Sequence, residues 1–412
     1  MFFREHMKKS LSEIGLSVSL DRGPYQNNGA SPWYAFIGIG TPVQTLKFSF
    51  DTGSNFIWVT SSLCHPETCH HYGDQQFVYQ ISSSFSWVNQ HTTDVSFGPW
   101  GNMDVKTGND VFALTPESLG RMENGSVSLL SDLYLAESYQ GAQFRELDWD
   151  GGIGIPSTND PTDFCSLSQP YRGITPQRGS ETASFHFFQS LIEQGIVSAK
   201  RPYVTFLTDI DSKSGHVEFG QLNQDYRDSR EYLFLPWDIY SVPYLWTSKI
   251  TSLSIGNTSV ISSEAIKTTP YYLALDSGSS QFKGDFDVMT TLYNMARQTK
   301  DDLVIEIGKT DLGDVGKLVI TSSMYDVLIE EGQEKGAVVS QFQPMEGADY
   351  LALVGSVLMD HIYTVYEFNV INVEGETRIL PVGMWIFNKV GGDKVIMSKQ
   401  NDPACLFTTI FS

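Results

Sequence analysis

The chain has 412 residues, long enough for one large β unit or two domains, with 41% apolar and 18% charged residues. That is a globular composition and excludes wholesale disorder. Against 48 acidic side chains stand only 27 basic ones, a formal charge of -21. Such a surface repels phosphate backbones and anionic lipid, so neither is expected as a partner.

In chain order, residues 1–24 read as an N-terminal extension. The first 20 contain no uninterrupted apolar core, so no secretory signal is expected there. No stretch anywhere approaches the 18 apolar residues of a membrane-spanning helix. Short alternating runs bounded by Gly, Pro, Asn, Asp and Ser predict strands at Tyr34 to Ile39 and Thr45 to Phe50, the second ending on Asp51. Cys64 and Cys69 follow, with His65, His70 and His71 close by. From residue types alone this cluster could be a disulfide loop, free thiols or a zinc site. Ala183 to Gln194 predicts a helix burying Phe185, Phe188 and Ile192, with Gly195 placed for a left-handed C-cap. Further strands are predicted at Tyr203 to Leu207, His216 to Phe219 and Ile362 to Phe368. A second helix, Phe286 to Arg297, has Asp285 as its N-cap candidate.

An internal repeat organises these elements. Leu46, Phe48 and Phe50 alternate into Asp51-Thr52-Gly53-Ser54; Tyr271, Leu273 and Leu275 alternate into Asp276-Ser277-Gly278-Ser279, 225 positions later. Each half also carries a later apolar–Gly pair, Ile153-Gly154 and Val354-Gly355. The repeat predicts two similar lobes, residues 25–205 and 206–386, with a tail at 387–412. If the two Asp turns meet, their carboxyls come within roughly 3 Å and cannot both ionise. They then share one proton, and the pair can activate water toward an amide carbonyl by general acid/base catalysis without a metal or a covalent intermediate. The proton belongs to the pair, so acid and base are not assigned to individual residues. A serine-nucleophile reading lacks any Gly-x-Ser-x-Gly elbow.

FDTGSNFIWV at 50–59 and LDSGSSQF at 275–282 resemble the two active-site signatures of the pepsin-like aspartic endopeptidases. Tyr34 to Pro42, Asp150 to Ile155, the 184–220 segment and Leu353-Val354-Gly355 with Tyr363 to Tyr366 are similar to further family motifs, so the resemblance covers roughly residues 33–383. It implies a mostly β, bilobal pepsin-like fold, two pseudo-twofold-related β-barrel-like lobes with a cleft between them. It also implies Asp51 and Asp276 as the catalytic pair, Ser54 and Ser279 as hydroxyls buttressing them, and Gly53 and Gly278 as close-approach sites for substrate. Trp58 would support the cleft wall. The substrate would be polypeptide bound extended, the enzyme a monomer without cofactor, and the compartment secreted or endolysosomal/vacuolar. The resemblance favours a Cys64–Cys69 disulfide; Cys165 and Cys405 stay unassigned.

The departures lie elsewhere. At the hairpin expected to cover the cleft, Phe97 replaces the family's tyrosine and Trp100 stands at a shifted place beside Pro99. Phe97 has no hydroxyl to donate. Gln281 and Ser356 also depart from the family pattern, and no family-like propeptide is expected in the first 30 residues. Two rival functions remain: a non-catalytic binding protein of the same fold, and an enzyme applying the pair to a non-peptide substrate.

Overall fold

Leu16, Val18 and Leu20 alternate with Ser17, Ser19 and Asp21, and it is the apolar set that is buried. This period of two makes Leu16–Arg22 a half-buried strand, β1, in the computed structural model of the protein. The structure describes residues 15–65, 67–69, 75–97, 101–114, 127–141, 144, 147–158, 186–227, 231–309, 315–373 and 376–397.

The first half continues with β2 (Trp33–Ile39), β3 (Gln44–Asp51), β4 (Ile57–Thr60), β5 (Ser86–Ser96), β6 (Asn102–Ala113), β7 (Ser128–Gln140) and β8 (Gly151–Gly154). Next come β9 (Tyr203–Asp209), β10 (Ser214–Phe219) and β11 (Tyr232–Pro236). The second half holds β12 (Thr247–Ile255), β13 (Thr258–Ile261), β14 (Tyr272–Leu275), β15 (Phe282–Asp285), β16 (Leu303–Lys309) and β17 (Val315–Ile320). It is completed by β18 (Asp326–Leu328), β19 (Val338–Ser340), β20 (Phe342–Met345) and β21 (Leu351–Val354), before the long strands β22 (Ile362–Val373) and β23 (Glu376–Asn388). The protein is mostly β and bilobal.

A central antiparallel run joins the lobes. β1 pairs with β10, β10 with β9, β9 with β22, β22 with β23, and β23 with β11. Residues 16–22, within the stretch read as an extension, are therefore one strand of this run, and β9 spans the 205/206 position. Trp385, Ile386 and Phe387, at the edge of the expected tail, are buried in β23. Burial of so much aromatic and branched surface, on the order of 2 kcal/mol per large side chain, anchors the central run.

Two helices carry signals legible beforehand. The helix Phe286–Thr299 starts on Asp285, whose side chain accepts from the Val288 N–H, and buries Met289, Leu292 and Ala296. The shorter helix Phe187–Glu193 is capped by His186 and followed by Gly195 at φ +68°. Its buried face is Phe187, Phe188 and Leu191, not the predicted Phe185, Phe188 and Ile192. Ile192 is only half-buried, and Phe185 lies outside the described residues. The sequence period fits either face; the register is decided by Phe50 and Phe219, whose rings pack on Phe187. Among the described residues no helix is long and apolar enough to cross a membrane.

Candidate active site

The two Asp-bearing turns are built alike. β3 runs parallel to β8 with Asp51 opposite Gly154, and β8 runs antiparallel to β4 beyond the turn. In the second half β14 runs parallel to β21, and β21 antiparallel to β15. Each closing strand thus passes between the two arms of a turn. The backbone is fixed there by Ile155 N–H to the Asp51 carbonyl at 2.8 Å, and by Asp276 N–H to the Val354 carbonyl at 2.9 Å. A Cβ on Gly154 would press on the backbone of Ser54 and Phe56, and one on Gly355 on that of Ser279. This accounts for the apolar–Gly pair in both halves.

Across the pseudo-twofold the turns interlock. The Thr52 N–H donates to Ser277 Oγ and the Ser277 N–H to Thr52 Oγ1, both at 3.0 Å. Each hydroxyl then donates onward to the opposite strand, Thr52 Oγ1 to the Leu275 carbonyl at 2.9 Å and Ser277 Oγ to the Phe50 carbonyl at 2.6 Å. Thr52 is fully buried. With its hydroxyls so engaged, this clasp leaves the two turns little freedom to part. Neither residue was singled out in the sequence. The available signal was a hydroxyl at the second position of both turns.

The clasp brings the Asp51 and Asp276 carboxyls close together across the pseudo-twofold. A Cβ on Gly53 would stand 2.6 Å from the Asp276 carboxyl, and one on Gly278 would meet Asp51 as closely. Asp51 accepts from the Gly53 N–H at 2.8 Å, and Asp276 from the Gly278 N–H at 2.9 Å. Asp51 shows part of its surface to the cleft but is otherwise enclosed by protein. Burial, and then the Asp276 charge beside it, push its carboxyl well above the ordinary carboxylate range, against which the Gly53 N–H acts.

The expected buttressing hydroxyls differ. Ser279 Oγ donates to Asp276 Oδ2 at 2.6 Å. Ser54 Oγ is buried beside Asp51 and falls outside hydrogen-bond geometry, so it lowers that carboxyl only as the weakest of its influences. The pseudo-symmetry of the turns therefore stops at the carboxylates.

Above them lies a cavity of about 240 Å³. Phe56, Trp58, Phe97 and Phe144 line one side, and Tyr244 and Met345 are among the residues opposite. Phe97 sits edge-on to Phe56, with ring centroids 4.9 Å apart, and to Phe144 at 5.2 Å. It also meets Trp58 at 6.0 Å. The Phe97 N–H donates to the Gly101 carbonyl, closing the β5–β6 hairpin over the cleft. In place of a tip hydroxyl, the hairpin offers packing. Trp100 and Pro99 lie outside the described residues.

Cys64 and Cys69 are joined in a disulfide, which settles the reading of that cluster; their Cα atoms are 5.6 Å apart. His70, His71, Cys165 and Cys405 lie outside the described residues. Gln281 and Ser356 act as stitches. Gln281 Nε2 donates to Asn27 Oδ1 at 2.7 Å, and the Ser356 N–H donates to the Ser279 carbonyl at 2.9 Å. One cleft residue had no place in the sequence reading: Lys283, whose ammonium is buried next to Ser279.

The sequence profile described as eukaryotic aspartyl protease matches residues 32–374. Pepsin A of Bos taurus is 24% identical over 380 residues, 89% of this chain and 90% of that protein. Plasmepsin IX of Plasmodium falciparum (isolate NF54) is 30% identical over 158 residues, 36% of this chain and 24% of that protein. Aspartic protease 3 of Toxoplasma gondii is 23% identical over 368 residues, 86% of this chain and 51% of that protein.

Proposed function

The chain belongs to the eukaryotic aspartyl protease family, and from that premise we propose that it is an endopeptidase whose catalytic pair is Asp51 and Asp276. The observation that carries this reading is the clasp between Thr52 and Ser277, which holds the two carboxyls close together at the floor of an aromatic-lined cavity.

Like charges so close cannot both persist in a desolvated site, so the pair keeps one proton through the acid range. Asp276 accepts from both the Gly278 N–H and the Ser279 hydroxyl, and Asp51 from the Gly53 N–H, so the charge settles on Asp276 and the proton on Asp51 before reaction. Asp276, fixed by the Gly278 N–H and the Ser279 hydroxyl, then draws a proton from water as water attacks the scissile carbonyl. Asp51 gives its proton to the carbonyl oxygen. The resulting diol collapses and the C–N bond breaks: the departing amine takes the proton from Asp276, and a diol hydroxyl returns one to Asp51, restoring the single-proton pair. Water is consumed and no covalent enzyme intermediate forms.

The cavity walls select the substrate. Phe56, Phe97 and Phe144 on one side and Tyr244 and Met345 on the other offer apolar surface near the carboxyls. Large apolar side chains flanking the scissile bond would bury there, each contributing about 1.5–3 kcal/mol. The Tyr244 hydroxyl is held neutral, pushed up to about 12 by burial and by the fields of Asp51 and Asp276.

Incubation of the folded protein with a mixed peptide library between about pH 3 and 7, the range of a shared-proton pair, tests the reading. Cleavage beside large apolar residues is expected. Intact peptides throughout would overturn it.

A further inference from the structure

Lys283 is the sole side chain able to carry positive charge that lines the cleft cavity among the described residues. It is 1% exposed. Its Nζ donates to the Gly29 carbonyl at 2.5 Å and to Ser279 Oγ at 3.0 Å, and Ser279 Oγ donates to Asp276 Oδ2 at 2.6 Å. The seat is specific: a Cβ on Gly29, whose φ is +81°, would stand 3.0 Å from Lys283 Cε and Nζ. The first half has nothing comparable. Seven positions after Asp51 stands Trp58, whereas Lys283 stands seven after Asp276. The hydroxyl of Ser54, equivalent to that of Ser279, makes no hydrogen bond among the described residues. One half of a duplicated site therefore has an ammonium behind its serine that the other half lacks.

We propose that Lys283 is a positioning residue for the carboxyl pair: through Ser279 its ammonium keeps the negative charge on Asp276 and the proton on Asp51. It also lets the pair reach its single-proton state at lower pH. The inference rests on the reading of Asp51 and Asp276 as the catalytic pair. Two hydrogen bonds separate the charges, a path of at most about 6 Å, the range over which an opposite charge favours a carboxylate. Burial draws the ammonium down to about 7, with Asp276 and then Asp51 opposing that shift, so it stays charged where an acid protease works.

The charged and titratable groups around Lys283 agree with this. Asp276 and Asp51 face it from the two turns, and Tyr244, neutral in this range, lines the same cavity. On its own strand Asp285 is committed to the Val288 and Tyr350 N–H groups. The flanking partners are Gln343 on β20 and Leu353 on β21, both uncharged. From the N-terminal segment the Tyr25 hydroxyl donates to the Ser280 carbonyl, and burial keeps it protonated.

The test follows carboxyl titration by carbon NMR of protein labelled at aspartate, alongside pH–rate profiles for peptide cleavage. Both are run on wild type, Lys283→Met and Ser279→Ala. In Lys283→Met the first ionisation of the pair and the acid limb of kcat should move up by about one pH unit. Ser279→Ala, which keeps the ammonium but removes the connecting hydroxyl, should shift them upward by less. Superimposable titrations in folded Lys283→Met and wild type would overturn the proposal. So would a change confined to KM for acidic peptides, since Lys283 would then be a substrate contact. Should Lys283→Met not fold, nitrogen NMR of wild-type lysine decides: the Lys283 Nζ resonance should shift as the pair ionises, and an unresponsive resonance would overturn the proposal. Shifted titrations without any cleavage would sustain this inference while rejecting the endopeptidase reading.

Discussion

The backbone N–H of Thr52 donates to Ser277 Oγ, and the backbone N–H of Ser277 donates back to Thr52 Oγ1, each over 3.0 Å. This reciprocal pair, formed by residues 225 positions apart, ties one lobe to the other directly behind the carboxyls. Loss of either hydroxyl leaves a buried N–H on the opposite turn without its acceptor.

Thr52→Val is accordingly expected to lower stability by about 2–3 kcal/mol, the cost of unsatisfied buried groups. It should also reduce kcat about 100-fold with little change in KM, because the carboxyls lose their registration and the walls do not. Ser277→Ala should behave alike. The double variant should cost less than the sum of the two, since both remove one clasp. Denaturant unfolding and steady-state kinetics measure both effects.

Gly53 and Gly278 each face the opposite carboxyl where no Cβ can fit. Either Gly→Ala substitution should force the pair apart by a good fraction of an ångström and lower kcat by about 100-fold or more. Ala at Gly195, where the added Cβ meets nothing within 4 Å, is the control: its φ of +68° costs stability but should leave kcat in place. Circular dichroism confirms the fold and kinetics reads the rest.

His186 sets the acid tolerance. It is buried, its Nε2 has no hydrogen-bond partner among the described residues, and burial pulls it down to about 3. The unfolded chain binds a proton below pH 6.5 that the folded chain refuses until about pH 3, so stability falls as pH drops through that window. The loss approaches an order of 4 kcal/mol at its lower end. Asp51, whose carboxyl is raised, acts oppositely: its contribution is full in acid and is lost as pH rises through its folded value. His186→Asn, which keeps a capping acceptor, should flatten the acid side of a melting-temperature profile. An unchanged slope would contradict this account.

The Cys64–Cys69 bridge closes a short loop soon after β4. By chain entropy its removal in the Cys64→Ser, Cys69→Ser double variant should cost about 2 kcal/mol. Thermal melts of that variant against the oxidised parent give the number.

Much of this was legible in the sequence, for physical reasons that differ by element. The two turns were readable because alternating apolar strands ending on Asp–hydroxyl–Gly–hydroxyl occur twice in one chain. The helix Phe286–Thr299 declared itself through Asp285. The disulfide came from resemblance, since Cys and His types alone also suit zinc. Lys283 was not legible: β15 is flanked by β20 and β21, so Phe282, Lys283 and Gly284 are all buried and alternation gives no inward face. That Phe187 and Leu191, not Ile192, face the core was not legible either, because Phe50 and Phe219, which pack on Phe187, lie far away in sequence. Nor does any local pattern tell that Ser54 stands off from Asp51 while Ser279 grips Asp276, because the two serines occupy the same place in the repeat.

The central claim is that Asp51 and Asp276 work as one acid/base unit. Its most direct test is kcat for a cleaved peptide in Asp51→Asn and Asp276→Asn, each shown to be folded. Each single substitution should lower kcat by at least about 1000-fold, and the double variant should be little worse than either, as expected of residues acting as a unit. Cleavage that survives either substitution at a tenth of the wild-type rate or more would contradict the account.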